Sequence, residues 1–220
     1  MYPTSFHDFA QQCLGAFSHF VPDALAAVYR INAQREAHDF QLRGMQPRMH
    51  ERYLEHYRDL DPLSPLACEA AGCTVMTLHQ GLHRRPSTDN AIYLGFLQRH
   101  AVVDVVEVIA MDGACPVAGI SLFRMAGTCA FSPQEQANLR PLQGLMQLAA
   151  RSLAPDNALF DSLTAREQQI ALLLRDGASN KVLARALGIG LATVKTHLIN
   201  LFRKLQVASR TELVARLFVR

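Results

Sequence analysis

The chain has 220 residues, of which 50% are hydrophobic and 19% are charged. This composition excludes a disordered polymer and a polyelectrolyte, and it suffices for one large or two small packed domains. The net charge of +3 is unevenly divided, with a net charge of −2 in residues 1–155 and +5 in residues 156–220. A small basic segment after a weakly acidic body predicts a polyanionic partner for that segment.

The sequence has no secretion signal at its start and no apolar run as long as a membrane span. We therefore expect a cytoplasmic protein that does not contact a membrane. The cysteines are odd in number and show no CxxC spacing, which indicates buried thiols and leaves a redox sensor open. They are Cys13, Cys68, Cys73, Cys115 and Cys129.

The first 150 residues alternate between helical and strand patterns. The predicted elements are helix 6–20, strands 25–31 and 39–45, helix 49–60, strand 73–78, helix 90–100 and strands 102–111 and 117–125. Asp112-Gly113 between the last two strands predicts a hairpin. Ser132, Pro133 and Glu135 then mark the capped start of a helix that runs to about residue 152.

A domain boundary is predicted where Leu153-Ala-Pro-Asp-Asn157 interrupts this last helix just before the charge shift. We place a sensor domain at 1–153, a linker at 154–158 and a second domain at 159–220. The first pattern predicts an α+β sandwich of the GAF/PAS kind, with an antiparallel sheet, helices on one face and a pocket between the layers. Small molecules commonly bind in such pockets.

Four helices are predicted in the second domain, which is therefore all-α. Capping boxes begin the first helix at Thr164 and Glu167 and the fourth at Ser209 and Glu212. The second ends at Gly188, and a tight turn leads to the third, at 191–205. Two short helices around a glycine turn describe a helix-turn-helix, whose second helix enters the major groove of DNA.

The third helix has two different faces. Val194, Leu198, Leu201, Phe202 and Leu205 recur at helical spacing and predict a buried stripe. The opposite face carries Thr196, Ile199, Asn200 and Arg203, with Lys195 at its flank. A polar, basic helix face can simply be solvated, but the caps, the turn and the basic charge of the whole domain favour DNA binding.

The segment LTAREQQIALLLRDGASNKVLARALGIGLATVKTHLINLFRKLQVASRTEL resembles the LuxR-type helix-turn-helix over many fixed spacings. The matching residues are Leu163, Thr164, Arg166, Glu167, Gly177, Ser179, Asn180, Lys181, Thr193, Val194, Lys195, His197, Asn200, Lys204, Leu205, Ser209, Arg210, Glu212 and Leu213. We also expect Arg166 and Glu167 to pair with each other.

The resemblance implies a role for each matching position. Lys195 and Thr196 would face the groove, and Lys181, Thr193, Asn200, Arg203 and Lys204 would contact phosphates or the groove edge. The fourth helix, with Leu213, Val214 and Leu217, would mediate dimerisation. Gly190 replaces the usual serine cap, and Ile199 replaces a polar residue and is a candidate contact to a thymine methyl, so the operator sequence does not transfer.

The first domain does not have the pattern of a phosphoacceptor receiver, because residues 1–155 contain no lysine. Arg52-Tyr-Leu-Glu-His-Tyr-Arg-Asp-Leu-Asp-Pro62 resembles the autoinducer-binding, quorum-sensing-like subset of the LuxR family instead. That resemblance assigns ligand contacts to Tyr53, Tyr57 and Asp61. In that subset the tyrosine and the aspartate contact an acyl-homoserine lactone. The tryptophans of the subset are missing from this chain, which argues against a lactone ligand. The alternative is that Asp61 caps a turn and the tyrosines are core residues.

No catalytic or metal site is legible. His79 and His83 have HxxxH spacing without nearby carboxylates, and no Ser/His/Asp or Cys/His arrangement stands out. We therefore expect no enzyme, no cofactor and no metal. A sigma-factor-like region would share the helix-turn-helix, but helices rather than strands would precede it.

The sequence as a whole predicts a sequence-specific, DNA-binding transcriptional regulator that works as a homodimer with RNA polymerase and responds to a small molecule. The alternative is a ligand-independent regulator whose first domain serves dimerisation or protein contact.

Overall fold

The computed structural model describes residues 5–153, 160 and 162–218. The described residues form two compact units, one of residues 5–152 and one that begins at residue 153. The predicted linker, 154–158, lies outside the described residues. No single described helix is long and apolar enough to span a membrane. The helices 180–187 and 191–205 reach the length and apolar composition of a span only when they are taken together, and the chain bends by 106° between them.

The first unit contains one antiparallel sheet of five strands in the order β2-β1-β5-β4-β3. The strands are β1 Leu25–Ile31, β2 Ala37–Arg43, β3 Val75–Thr77, β4 Val102–Asp112 and β5 Cys115–Met125. The predicted hairpin joins β4 to β5, and Gly113 in its turn has a φ of 60°, which glycine adopts without strain. Strand β2 lies two residues earlier than predicted.

Six helices accompany the sheet. They are α1 Phe6–Phe20, α2 Pro47–Arg52, α3 Pro65–Ala71, α4 Leu78–Leu82, α5 Ser87–Arg99 and α6 Pro133–Ala150. The predicted helix 49–60 is helical, but its geometry changes to a π turn at Tyr53–Tyr57 and to a 3-10 turn at Arg58–Leu60. The sequence did not predict α3 and α4, because helices of seven and five residues are too short to show a period.

Helices cover both faces of the sheet rather than the one face we expected. Val105 and Ile109 of β4 pack in a core with residues of α2, α3 and α5. Val106 and Val108 point to the opposite face, since neighbouring residues of a strand alternate, and both are 0% exposed. Helices α1 and α6 contact this sheet and each other. The α+β class is confirmed, with a second helical layer.

The second unit is all-α, as predicted. Its helices are α7 Ala165–Arg175, α8 Asn180–Leu187, α9 Leu191–Leu205 and α10 Arg210–Phe218. Ile170, Leu183, Val194, Leu201 and Leu213 are each 0% exposed and form its core. The Thr164–Glu167 capping box is present, and Ser209 accepts a hydrogen bond from the Glu212 N–H at 3.2 Å.

The predicted pair of Arg166 and Glu167 is wrong, because the two side chains anchor different helices to α7. Arg166 Nη2 donates to the Leu187 carbonyl oxygen at 2.7 Å, at the end of α8. Glu167 Oε2 accepts from Lys204 Nζ at 3.0 Å, on α9. Adjacent residues on a helix point in different directions, so each reaches a different neighbour.

Candidate nucleic-acid interface and ligand cavity

Helix α9 has one buried side and one exposed side. Val194, Leu201 and Leu205 are buried, whereas Leu198 and Phe202, which were also predicted for the stripe, are only half-buried. The exposed side carries Thr193, Lys195, Thr196, Ile199 and Arg203. Ile199 has 65% of its surface exposed, so its apolar side chain is accessible on this side of the helix.

Most of the side chains predicted to contact DNA lie free of the domain core. Lys181 is exposed in the first turn of α8. Asn200 is half-buried and accepts a hydrogen bond from Arg203 Nη2 at 3.1 Å, so these two polar groups are presented together. Thr196 Oγ1 donates to the Ala192 carbonyl at 3.2 Å.

Lys204 differs from the other predicted contacts because its ammonium group is already engaged within the domain. Nζ donates to the Ser162 carbonyl at 2.9 Å and to Glu167 Oε2 at 3.0 Å. The pair joins the end of α9 to the capping box that begins α7. In the structure, Lys204 therefore positions α9 on its domain.

The start of α9 has an extended N-cap at Gly190, with φ −70° and ψ 154°. No side chain caps this end, whereas Thr164 caps α7 and Ser179 caps α8. At the start of α9, the helix that carries Lys195, the glycine therefore leaves one more backbone N–H group without a side-chain acceptor from the same chain.

Two of the three residues expected to mediate dimerisation pack inside the domain. Leu213 is 0% exposed and Leu217 is 2% exposed, and both belong to the core of the second unit. This corrects the expectation for them, since a side chain enclosed by its own domain has no surface for a second copy. Val214 is half-buried and lies at the edge of that core.

A cavity of about 30 Å³ lies in the first unit, between the sheet and the segments from α2 to α5. One water molecule needs a cavity of roughly 10–15 Å³, so this cavity has room for a small group of a few heavy atoms. Its wall comprises Ala27, Tyr29, Ala37, Phe40, Met45, Met49, His50, Tyr53, Asp61, Leu63, Ser64, Pro65, Tyr93, Phe96, Val105, Glu107, Ser121 and Phe123.

Asp61, one of the predicted ligand contacts, is 8% exposed in this wall. Its Oδ2 accepts from the Tyr53 hydroxyl at 2.8 Å, and its Oδ1 accepts from the Leu63 N–H at 2.8 Å. Burial raises the pKa of the Asp61 carboxyl, and hydrogen bonds from Leu63, Tyr53 and Tyr93 partly offset that rise. Asp61 therefore caps the following turn, and its carboxyl group also lies in the cavity wall, where a ligand could contact it.

Glu107 is a second buried carboxyl in the same wall, 2% exposed. Its Oε1 accepts from the Tyr29 hydroxyl at 2.8 Å, and its Oε2 accepts from Ser121 Oγ at 2.6 Å. Burial and, to a smaller extent, the charge of Asp61 raise its pKa to about 8, although these two hydrogen bonds act in the opposite direction. Glu107 is therefore largely protonated at neutral pH when the cavity holds no cation.

Gly119 makes the Tyr29–Glu107 contact possible. Tyr29 on β1 is directly opposite Gly119 on β5, and Glu107 lies on the next strand, β4. A Cβ atom at position 119 would lie 2.3 Å from Tyr29 Cζ and 2.4 Å from its hydroxyl oxygen. The ring of Tyr29 therefore crosses β5 over the glycine to reach the carboxyl group.

The structure brings Tyr53 and Asp61 together but places Tyr57 outside the cavity wall. The Tyr57 ring stacks on Phe96 with centroids 4.4 Å apart, and its hydroxyl accepts from Arg99 Nη2 at 2.8 Å. Its expected ligand contact is therefore corrected to a packing role. The sequence interpretation missed Tyr29, Tyr93, Glu107 and Ser121. A glutamate inside the apolar run VVDVVEVIAM was the available signal for the third of these.

The cysteines and histidines form no comparable site. Cys13 and Cys68 are buried as expected, whereas Cys129 is exposed, and burial raises the pKa of the Cys13 thiol to about 12. In the part of the chain that the structure describes, no group of three or more His, Cys, Asp or Glu side chains could hold a metal ion. His79 and His83 lie with ring centroids 4.2 Å apart.

Comparison with known proteins identifies the helical unit first. Residues 161–217 match the model of the luxR family of bacterial regulatory proteins. The chain is 36% identical over 206 residues to the monoamine regulon transcriptional regulator of Klebsiella aerogenes, which covers 93% of this chain and 88% of that protein. Over 53 residues it is 55% identical to the CsgBAC operon transcriptional regulatory protein of Escherichia coli, a match that covers 24% of each chain.

Among solved structures, Escherichia coli SdiA aligns over 96% of this chain and 88% of its own, with a TM-score of 0.50 and 14% identity, which shows a shared fold. The chain belongs to the luxR family of bacterial regulatory proteins. It is a DNA-binding transcriptional regulator, as the sequence predicted.

Proposed function

We propose that this regulator binds a specific operator through α9 and that a small molecule in the cavity of the sensor domain controls this binding. The observation that carries the proposal is the cavity itself, because two buried carboxyl groups in hydrogen-bonded positions are expensive in a core that serves packing alone. We place the domain boundary at the linker 154–158.

The exposed face of α9 supports the DNA contacts. Lys195, Thr196 and Ile199 would read base edges in the major groove, with Ile199 against a thymine methyl group. Lys181, Thr193, Asn200 and Arg203 would hold phosphates or the groove edge. Lys204, whose ammonium group is paired with Glu167, would contribute to the positive field near the phosphates.

A homodimer on a two-fold symmetric operator is the assembly we propose, since helix-turn-helix regulators commonly read paired half-sites. Val214 and the exposed residues of α10, rather than Leu213 and Leu217, would supply the contact through this helix. RNA polymerase would be the downstream partner and the cytoplasm the place of action. We assign the chain no catalytic role and no cofactor.

Ligand control requires that the ligand bind the DNA-competent and DNA-incompetent states with different affinity. The π turn at Tyr53–Tyr57 is the element that we propose for that difference, because such turns are irregular and occur frequently at functional sites. Tyr53 begins this turn and donates to Asp61. A ligand that contacts Asp61 would therefore act on the helical segment through one hydrogen bond.

Mass spectrometry of small molecules retained by the purified protein, together with genome-wide DNA occupancy, tests this function. The name of the Klebsiella aerogenes relative makes amine-metabolism operons the first promoters to inspect. The control is Ala37→Phe, which fills the cavity from β2. We expect a retained molecule in the parent and none in the variant. Equal occupancy of DNA sites by both, with no retained molecule in either, would favour the ligand-independent alternative.

A further inference from the structure

The cavity wall contains acidic side chains that no lysine or arginine among the described wall residues balances. Asp61 and Glu107 contribute two carboxyl groups, and the described residues of its wall include no lysine and no arginine. His50 is the basic side chain in this wall, and burial lowers its pKa, which favours the neutral ring. Arg85 lies outside the wall and donates to the Asp61 backbone carbonyl at 2.9 Å, not to its carboxyl group. The cavity therefore has acidic groups without a matching cation.

The hydrogen bonds around the two carboxyl groups suit their ionised forms. Each of the two oxygens of Glu107 accepts from a hydroxyl group, and each of the two oxygens of Asp61 accepts from a donor. A carboxylate is an acceptor only, whereas a protonated carboxyl must also donate. The site is thus arranged for negative charge, while its burial opposes that charge unless a cation enters.

The remainder of the wall suits the body of an organic cation. Tyr29, Phe40, Tyr53, Tyr93, Phe96 and Phe123 contribute aromatic rings. Such rings attract cations at their faces and exclude water from an apolar carbon chain. The described residues contain no group of three or more His, Cys, Asp or Glu side chains that could hold a metal ion, and an anion would be repelled by both carboxyl groups.

We infer that the cavity binds a compact primary amine as its ammonium cation, with Glu107 and Asp61 as counter-charges and the aromatic rings around its carbon body. This inference rests on the proposed ligand-binding function and names the class of ligand. The cavity of about 30 Å³ sets a small size for the molecule. Met45 and Met49 in the wall allow some expansion, because methionine side chains adapt their shape.

Binding of an amine and binding of a neutral ligand should differ in whether Glu107 loses its proton. Without a cation it is largely protonated below about pH 8. An ammonium group beside it stabilises the carboxylate, so binding near neutral pH releases a proton to solvent and becomes tighter as the pH rises from 6 to 8. Asp61, His50 and the hydroxyls of Tyr29, Tyr53 and Tyr93 face the same space. Glutamine at position 107 removes the contribution of Glu107 alone.

The test is calorimetric titration of the full-length protein with three small probes of similar size, namely ethylamine, ethanol and acetate, at pH 6, 7 and 8. We expect ethylamine to bind about tenfold tighter than the alcohol at pH 8 and acetate to bind weakest. Glu107→Gln should abolish the preference for the amine and its pH dependence. The matched control Glu55→Gln, at an exposed position, should preserve both.

The outcomes separate this inference from the proposed function. Equal or tighter binding of the alcohol or of acetate in the parent would overturn the amine inference, while it would leave a ligand-binding domain in place. Absence of binding by all three probes would also overturn it, and the retained-molecule experiment would then judge ligand binding separately. If Glu107→Gln does not fold, as circular dichroism would show, the comparison of the three probes on the parent protein still decides.

Discussion

The two domains present the groups that we propose to be functional in opposite ways, one on its surface and one in its interior. In the DNA-binding domain the core is apolar, and most of the side chains that we propose to contact DNA lie on one face of α9 within eleven residues, from Thr193 to Arg203. In the sensor domain the polar groups of interest are buried and come from distant parts of the chain. Tyr29 and Glu107, for example, are bonded although 78 residues separate them.

This difference explains which kind of change each domain tolerates. A surface helix keeps its fold when a polar contact is removed, so recognition and stability can be changed separately. A buried polar network contributes to recognition and to stability at once, because removal of one hydrogen-bonding group leaves its buried partner without a hydrogen bond. The domains should therefore respond differently to matched substitutions.

The largest expected effect is on the core of the DNA-binding domain. Leu201→Ala removes a side chain that is 0% exposed, which typically lowers the free energy of unfolding by about 2–5 kcal/mol. Hydrogen exchange of the full chain should show faster exchange in α7 to α10 and unchanged exchange in the sheet. Equally accelerated hydrogen exchange in both units would contradict the division of the chain into two separately packed units.

Gly119→Ala should have the next largest effect and should act on the sensor domain. The added methyl group would overlap the buried ring of Tyr29, so we expect a loss of about 1–3 kcal/mol in stability and displacement of the tyrosine from Glu107. Urea unfolding measures the first effect. Gly95→Ala is the control, since a methyl group there meets no atom within 4 Å. Similar losses in both variants would argue against the crossing of Tyr29 over β5.

Lys195→Ala should weaken operator binding without change in stability. Loss of one contact to DNA reduces affinity by about 1–3 kcal/mol if it reads a base, and a phosphate contact lowers the salt slope by about 0.9. Fluorescence anisotropy at several salt concentrations distinguishes the two. Arg140→Ala, an exposed charge change on α6 in the first unit, is the comparison variant. An unchanged affinity at every salt concentration would refute the placement of Lys195.

Gly190→Ser should give the smallest effect, a gain of a few tenths of a kcal/mol in the stability of the DNA-binding domain. The backbone at position 190 already has the extended conformation of an N-cap, and a Cβ there would have its nearest contact at 3.9 Å, on Thr193 Oγ1. Thermal unfolding is the measurement. A loss of stability would mean that the helix end has a requirement for glycine that its φ of −70° does not reveal.

The sequence predicted best what is local along the chain. The capping boxes at Ser132–Glu135 and Thr164–Glu167, the hairpin and the faces of α9 all depend on neighbours within four residues or on a clear period. The pairing of Arg166 with Glu167 failed because the two adjacent side chains diverge towards α8 and α9. The expected contacts of Leu213 and Leu217 failed because an apolar stripe does not tell a domain core from a dimer surface.

The cavity could be predicted only in part. Tyr53 and Asp61 lie eight residues apart in a segment that resembles ligand-binding relatives, so the sequence could propose them. The Glu107 carboxyl was visible as a charge in an apolar strand, but its partners depend on sheet register. Tyr29 reaches it only because β5 separates the two strands and carries a glycine at the crossing point, and no local pattern encodes that arrangement.

The central claim is that occupancy of the sensor cavity changes the affinity of α9 for its operator. The most direct measurement is the Kd for a DNA fragment from the strongest genomic binding site, before and after small molecules extracted from the purified protein are returned to stripped protein. We predict a change of at least about threefold in the parent and none in Ala37→Phe. An identical Kd in the parent with and without the extract would contradict the claim.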